Sequence, residues 1–131
     1  MYDDVIFSAY KNDSHDIVID YGNYMEDFNG FLVNFGNGFL LPNGTFTAPR
    51  KGIYEFSVDA HARPNTILTV QCNGANELSF VAYTSQHTSS MSFSWIMELE
   101  QEDTVKLFVK EESVYCDPSY NCIFSGKLIK N

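Results

Sequence analysis

Short runs of Val, Ile, Phe, Tyr and Thr recur along the chain, and clusters of Gly, Pro, Asn and Asp separate them. This spacing is typical of strands joined by tight turns, and the apolar positions show almost none of the 3.6-residue period that indicates helices. The clearest run is Ile53–His61, in which Tyr54, Phe56, Val58 and Ala60 share one face of an extended strand. About ten such runs predict an all-β, antiparallel sandwich or barrel.

Two glycine-containing segments predict where neighbouring strands turn back on each other. Asn73-Gly74 follows the run Ile67–Val70 and is a strong hairpin signal, because both residues tolerate a positive φ. Gly36-Asn-Gly38 separates Phe31–Phe35 from Phe39–Leu41, and we expect a second hairpin there. No helix pattern follows these glycines, so the segment does not predict a phosphate-binding loop.

Length and charge limit the classes of function that the chain can serve. Its 131 residues suit a single domain that spans residues 1–131. A formal net charge of −9 argues against a nucleic-acid partner, which requires a basic surface. No apolar run approaches the roughly 20 residues that insert across a membrane. The opening Met-Tyr-Asp-Asp shows neither part of a secretory signal, so we expect no signal peptide within this sequence.

Three cysteines and two glycosylation sequons bear on the compartment. Cys116 and Cys122 bracket an Asp-Pro turn, and their spacing permits a disulfide. Two free thiols in a reducing compartment remain the alternative. Cys72 lies in an apolar run and is expected to be a small core residue. The sequons at Asn12 and Asn43 suit a secreted protein, although such triplets also occur by chance.

The residues that carry catalysis or bind metals show no productive spacing. His15, His61 and His87 are isolated from one another, and no nucleophile elbow is present, so we expect no enzymatic activity. Acidic residues cluster over Asp3–Asp27 and again over Glu98–Asp117. Neither cluster has the Asp-x-Asp-x-Asp-Gly spacing of a calcium loop. We therefore expect no metal site and no cofactor, and calcium is disfavoured.

A segment before the last strand gathers aromatic and acidic side chains. We expect Glu111–Asn121 to be a loop, and it contains Tyr115, Asp117 and Tyr120. Flat rings that stack on sugar C–H faces, together with oxygens that bind hydroxyls, are the components of a carbohydrate site. Alternatively, the tyrosines only pack the loop against the disulfide, and the sequence leaves both interpretations open.

Four blocks, in order along nearly the whole chain, resemble the C1q-like domain family. Val5–Ala9 is similar to the family's opening Val-Ala-Phe-Ser-Ala, and Gly44–Phe56 fits Gly-x-Phe-x-x-Pro-x-x-Gly-x-Tyr-x-Phe. Leu99–Leu107 resembles Leu-x-x-Gly-Asp-x-Val-x-Leu, with Glu in place of its Gly. Ile123–Ile129 resembles the closing Thr-Phe-Ser-Gly-Phe-Leu-Leu. This family includes the globular heads of complement C1q, adiponectin and cerebellin, and it shares its fold with the tumour-necrosis-factor cytokines.

The resemblance implies a ten-stranded jelly roll that assembles as a homotrimer. Aromatic residues such as Phe93, Trp95, Tyr83 and Phe108 exceed what one thin sandwich hides, and a three-fold contact would cover them. Where complement-type heads place calcium ligands, this sequence has Ala82 and Ser89, which further disfavours calcium. No collagen-like Gly-X-Y repeat precedes the domain in this sequence.

The resemblance further implies a secreted, non-enzymatic recognition module, like the C1q-domain lectins that bind glycans or microbial surfaces in innate immunity. The alternative is a trimeric ligand of the cytokine or synaptic-organiser type, which binds a cell-surface protein receptor. A structural or storage role is a third hypothesis. The loops at Thr84–Thr88 and Glu111–Tyr120 are expected to form the binding surface. The candidate ligand-binding residues are Tyr115, Asp117, Tyr120, Glu111, Glu112, Gln86 and His87.

Overall fold

The computed structural model describes residues 4–12, 17–83, 89–119 and 121–131. These residues form twelve strands and no helix, which confirms the all-β prediction. The predicted count of about ten is exceeded, in part because a strand lies within the predicted loop Glu111–Asn121. The strands are β1 (Ile6–Lys11), β2 (Ile17–Asp20), β3 (Gly30–Phe35), β4 (Phe39–Leu40), β5 (Thr45–Thr47), β6 (Gly52–Ala62), β7 (Ile67–Cys72), β8 (Ala75–Val81), β9 (Ser89–Leu99), β10 (Thr104–Glu111), β11 (Ser113–Cys116) and β12 (Cys122–Lys130).

Two antiparallel sheets face each other as a jelly-roll sandwich. The seven-stranded sheet has the order β2-β11-β6-β12-β1-β3, and β9 pairs with the free side of β6. The five-stranded sheet has the order β4-β5-β10-β7-β8. Strands β8 and β9 are each paired on one side only, so each ends its sheet. Most neighbours in the sheets are distant in sequence, and packing between the sheets therefore holds the fold together.

An aromatic core fills the space between the sheets. The ring of Phe7 lies 4.6 Å from that of Phe39, 5.3 Å from that of Phe46 and 5.2 Å from that of Phe124. Tyr54, Phe56, Val58 and Ala60 of β6 are buried on this inner side, as their alternation predicts. Each large apolar side chain buried in this way contributes roughly 1.5–3 kcal/mol relative to exposure.

The Asn73-Gly74 turn joins β7 to β8 as predicted. Both residues have positive φ, 53° and 83°, which gives the turn the twist that a two-residue hairpin requires. The Gly36–Gly38 prediction is wrong in its topology. Gly36 and Asn37 do have positive φ values of 88° and 54°, yet β3 pairs with β1, and β4 pairs with β5. The segment therefore carries the chain from one sheet to the other, because the partners of both strands lie elsewhere in the sequence.

The predicted loop at Glu111–Asn121 contains a strand. Strand β11 pairs with β2 through Tyr115 opposite Val18, and with the end of β6 through Tyr115 opposite His61. The prediction is wrong because the chain supplies a ready sheet edge there, formed by the end of β6 beyond its pairing with β12. After β11, Pro118 and Ser119 form a turn.

Candidate functional site

One end of the sandwich brings together most of the predicted binding residues. Ala62, the last residue of β6, pairs with both Ser89 of β9 and Val114 of β11. Ile67 at the start of β7 pairs with both Val81 and Glu111, so strands β8 and β10 end at the same level. We call this region, which carries Tyr21, Arg63, Tyr83 and residues 111–119, the β11 end.

Tyr115 is held in place by Arg63 from the segment that follows β6. The guanidinium Nε donates a hydrogen bond to the Tyr115 hydroxyl, and the guanidinium carbon lies 6.0 Å from the ring centroid. This hydrogen bond raises the pKa of Arg63, and the nearby carboxylates of Glu112 and Asp20 act in the same direction. The sequence prediction treated Tyr115 as a loop side chain, whereas the structure presents it from a strand beside a fixed positive charge.

Glu111 and Glu112 are exposed where β10 gives way to β11. Glu112 has a positive φ of 58°, and its carbonyl accepts a hydrogen bond of 2.9 Å from the Tyr21 backbone N–H. The Ser113 hydroxyl donates a hydrogen bond of 2.8 Å to the Asp20 carboxylate. These contacts join the start of β11 to the end of β2. They bring the carboxylates of Glu112 and Asp20 close enough to Arg63 to act on its charge.

Asp117 lies between the two half-cystines. Cys116 and Cys122 form a disulfide with an S–S distance of 2.08 Å and a Cα–Cα distance of 5.3 Å, which decides between the two alternatives that the spacing left open. The Asp117 carboxylate accepts the Ser119 backbone N–H at 2.8 Å and so stabilises the turn. The third cysteine, Cys72, is free and half-buried, and burial raises the pKa of its thiol.

Three of the predicted binding residues, Gln86, His87 and Tyr120, lie outside the described residues. The described residues that flank the first two, Tyr83 and Ser89, are both at the β11 end. The structure therefore brings the ends of both predicted binding segments to one end of the sandwich.

Tyr21, which directly follows β2 at this end, was not among the binding residues predicted from the sequence. Tyr21 is 69% exposed, and Tyr83, which the sequence analysis assigned to a subunit contact, is 83% exposed. Arg63 was also missed. The available signal was the turn Tyr21-Gly22 after a short strand, since an aromatic residue at an exposed turn is seldom there for packing alone.

Among the described residues, no group of three or more His, Cys, Asp or Glu side chains is arranged to hold a metal ion. Ala82, at a position where the resemblance placed a calcium ligand in other heads, is buried, and its carbonyl accepts the Asn65 N–H at 2.7 Å. The absence of a calcium requirement stays a prediction. Separately, within the described ranges we find no helix with the length and apolar character to span a membrane.

A model of the C1q domain family matches residues 7–129 of the chain. The chain belongs to the C1q domain family. Its fold is similar to the globular domain of zebrafish complement 1qA protein, with a TM-score of 0.77 and 22% identity over 97% of this chain and 99% of that one. Domains of this family are generally non-enzymatic and secreted, and they usually form trimers that bind receptors or other ligands.

Two tumour-necrosis-factor-type structures share the architecture of this C1q domain. Eiger TNF from S. frugiperda has a TM-score of 0.71 and 11% identity over 98% of this chain and 94% of that one. Murine APRIL at pH 5.0 has a TM-score of 0.67 and 12% identity over 95% of this chain and 99% of that one. At these identities the likeness concerns the fold alone.

The motif residues of this C1q domain occupy core positions. Phe46, Tyr54 and Phe56 are buried, with the ring of Phe46 5.4 Å from that of Tyr54 and 5.3 Å from that of Phe56. A Cβ on Gly126 would lie 2.6 Å from the Phe7 ring and 2.7 Å from the Phe56 ring. Gly126 is therefore required because two aromatic rings occupy the space that a side chain would need.

Proposed function

We propose that this C1q domain is a secreted, non-enzymatic recognition module that acts as a homotrimer and binds glycans through the β11 end. The observation that carries the proposal is the exposed Tyr21 side chain, whose backbone N–H bonds to the Glu112 carbonyl, at the end that also presents the Arg63–Tyr115 pair. An exposed ring offers a stacking face for a sugar, and the carboxylates and the guanidinium at the same end supply hydrogen-bond partners for hydroxyl groups.

The trimer is supported by an apolar edge that one subunit leaves uncovered. Leu78 and Val81 of β8 are exposed, and the rings of Phe80 and Phe93 stack 3.9 Å apart across the opening between β8 and β9. We call these four residues the β8–β9 edge. Unpaired strand edges with apolar side chains favour association with another chain.

The opposite contact surface is a groove on the outer face of the seven-stranded sheet. Ser8, Ser125, Ser57 and Ser94 lie in register across β1, β12, β6 and β9, and we call them the serine groove. Its volume is about 380 Å³, and Ile6 contributes to its lining. Small side chains make room for the larger residues of a neighbour's β8–β9 edge, and repeating this contact around a three-fold axis closes a ring.

Charge and multivalency both favour neutral ligands. Each chain carries a formal net charge of −9, and a trimer carries three times that value, which repels anionic surfaces such as lipopolysaccharide. Three copies of a weak site on one rigid particle raise the avidity for repeated glycans without any new contact. Secretion agrees with the Cys116–Cys122 disulfide, since such bonds persist in oxidising compartments.

A protein receptor is the second candidate, because β3 and β4 expose apolar side chains at the other edge of the sandwich. Leu32, Phe35 and Leu40 are each more than half exposed. Apolar surface of this kind is more typical of protein interfaces than of sugar sites. A cytokine-like or synaptic-organiser-like ligand would use it.

A glycan array probed with the purified trimer separates the two functions. We expect binding of neutral glycans, and a loss of about five- to thirtyfold in Tyr21→Ala and Tyr115→Ala, since losing a stacked ring or its positioning removes roughly 1–2 kcal/mol. Phe35→Ala is the matched control, because it removes an exposed ring at the other end of β1. Silence on the array, or equal loss in all three variants, contradicts the glycan proposal.

A further inference from the structure

The turn between β4 and β5 carries the sequon Asn43-Gly44-Thr45 in an ordered conformation. Asn43 is exposed, and its Oδ1 accepts the Thr45 backbone N–H at 3.0 Å. The Thr45 hydroxyl donates to the Asn43 carbonyl at 3.3 Å. The side-chain amide and the hydroxyl of the sequon are thus both tied to the same turn, in a motif in which the amide is the glycan acceptor.

We propose that Asn43 carries an N-linked oligosaccharide. This modification rests on the proposed secretion of the chain. The Asn43 amide nitrogen forms a bond to the anomeric carbon of an oligosaccharide carried on a polyprenyl diphosphate. The bond from that carbon to the diphosphate oxygen breaks, the lipid diphosphate leaves with the electron pair, and the amide nitrogen loses one proton.

The folded domain accommodates a glycan at this position. Gly44 has a positive φ of 62°, and a Cβ there would lie 2.1 Å from the Met25 carbonyl oxygen, so the backbone of the turn is packed against the segment before β3. The Asn43 side chain, by contrast, is exposed. A sugar attached to it extends into solvent while the turn beneath it keeps its packing.

The position also leaves the proposed trimer contact free. Strand β4 ends the five-stranded sheet on the side opposite β8, so the Asn43 turn and the β8–β9 edge lie on opposite sides of the sandwich. A glycan at Asn43 therefore does not cover the β8–β9 edge, and Asn43 is not among the residues that line the serine groove.

The second sequon differs in its surroundings. Asn12 is half-buried, its backbone N–H donates a 2.7 Å hydrogen bond to the Asn29 side chain, and it lines a cavity of about 390 Å³ with Tyr10 and Phe31. Its hydroxyl residue, Ser14, lies outside the described residues. Asn12 therefore serves as the comparison site and is not included in the proposal.

The test is secretion of the full chain from a eukaryotic host behind a cleavable leader, followed by peptide mapping with and without peptide-N-glycosidase in heavy-oxygen water. We expect glycosidase-dependent labelling at residue 43 and a mobility shift that Asn43→Gln abolishes. Thr45→Val, which removes the hydroxyl but keeps the β-branched shape, is expected to abolish it as well. Thr45→Ser is expected to retain it, and Asn12→Gln is the matched control.

The outcomes distinguish this proposal from the proposed secretion. A secreted chain with an oxidised Cys116–Cys122 pair and a bare Asn43 contradicts the glycan and leaves secretion standing. A chain retained in the cell with both thiols free contradicts both proposals. A mobility shift that survives Asn43→Gln also contradicts the assignment.

Discussion

Asp103 shows how one side chain organises the connection between β9 and β10. Its carboxylate accepts the Asn73 side-chain amide at 2.9 Å and the Glu100 backbone N–H at 2.8 Å. The Asn73 side-chain oxygen in turn accepts the Thr104 backbone N–H at 2.9 Å. These donors favour the charged carboxylate and lower the pKa of Asp103, first through Asn73 and then through Glu100. One aspartate therefore joins two turns that are 30 residues apart.

Replacing Asp103 by Asn is expected to lower the free energy of unfolding near pH 7 by about 1 kcal/mol. The new amide NH₂ group would face the Asn73 amide or the Glu100 N–H, both of which are donors. The loss stays small because the site is partly exposed to solvent. The folded pKa is depressed, so this contribution is present above the unfolded pKa and is lost as the pH falls through the folded value. The gap between wild type and Asp103→Asn in urea unfolding should therefore begin to narrow below about pH 4, where an ordinary Asp titrates, and close once the pH has passed the lowered pKa of the folded state. Glu98→Gln, on the exposed side of β9, is the control, and a pH-independent gap would contradict the prediction.

At the level of elements, β11 and the β3–β4 connection were assigned wrongly for the same reason. Strand β11 has four residues, too few to show alternation, and its partner β2 lies more than 90 residues earlier in the chain. The turn chemistry at residues 36–38 was correct, but turn chemistry does not state which strands pair. By contrast, long strands such as β6 and β9 were predicted well, because each repeats its apolar period several times.

The disulfide couples β11 to β12, and its loss should destabilise the domain. Both half-cystines are fully buried, and they close a loop with a sequence separation of 6, for which loop entropy gives about 2 kcal/mol. We expect Cys116→Ala/Cys122→Ala to unfold at lower urea concentration than wild type, and to be insensitive to reductant. Cys72→Ser, which leaves the disulfide in place, should keep the wild-type response to reductant. Equal midpoints for oxidised and reduced wild type would rule out this role.

At the level of the whole molecule, the outer surfaces of the sandwich differ in character. The β8–β9 edge is apolar, the serine groove is an open concavity lined by serines together with Ile6 and Val33, and β3 and β4 expose large apolar side chains at the far edge. A single subunit buries its core but leaves its apolar edges exposed to solvent. Exposed apolar patches of this kind favour association with a partner.

An arginine in the serine groove should prevent assembly. Ser94 is exposed in the isolated subunit, so Ser94→Arg is expected to fold normally. The arginine side chain would occupy the groove in which the neighbour's β8–β9 edge is proposed to bind. Sedimentation at micromolar concentration should shift from trimer to monomer, with an unchanged circular dichroism spectrum. Asn43→Arg carries the same charge change on the opposite edge and should remain trimeric. A monomeric wild type, or a trimeric Ser94→Arg, would refute the proposed contact.

The sequence alone determined the strand content, the buried faces of the long strands, the hairpin at Asn73-Gly74 and the family resemblance, because these depend on period and spacing within short stretches. The tertiary structure decided which cysteines pair, where β11 pairs, and that Tyr115 meets Arg63. It also paired the Tyr21 backbone N–H with the Glu112 carbonyl. Such contacts join residues far apart in the chain, and their distances are set by how the two sheets stack, which no local pattern encodes.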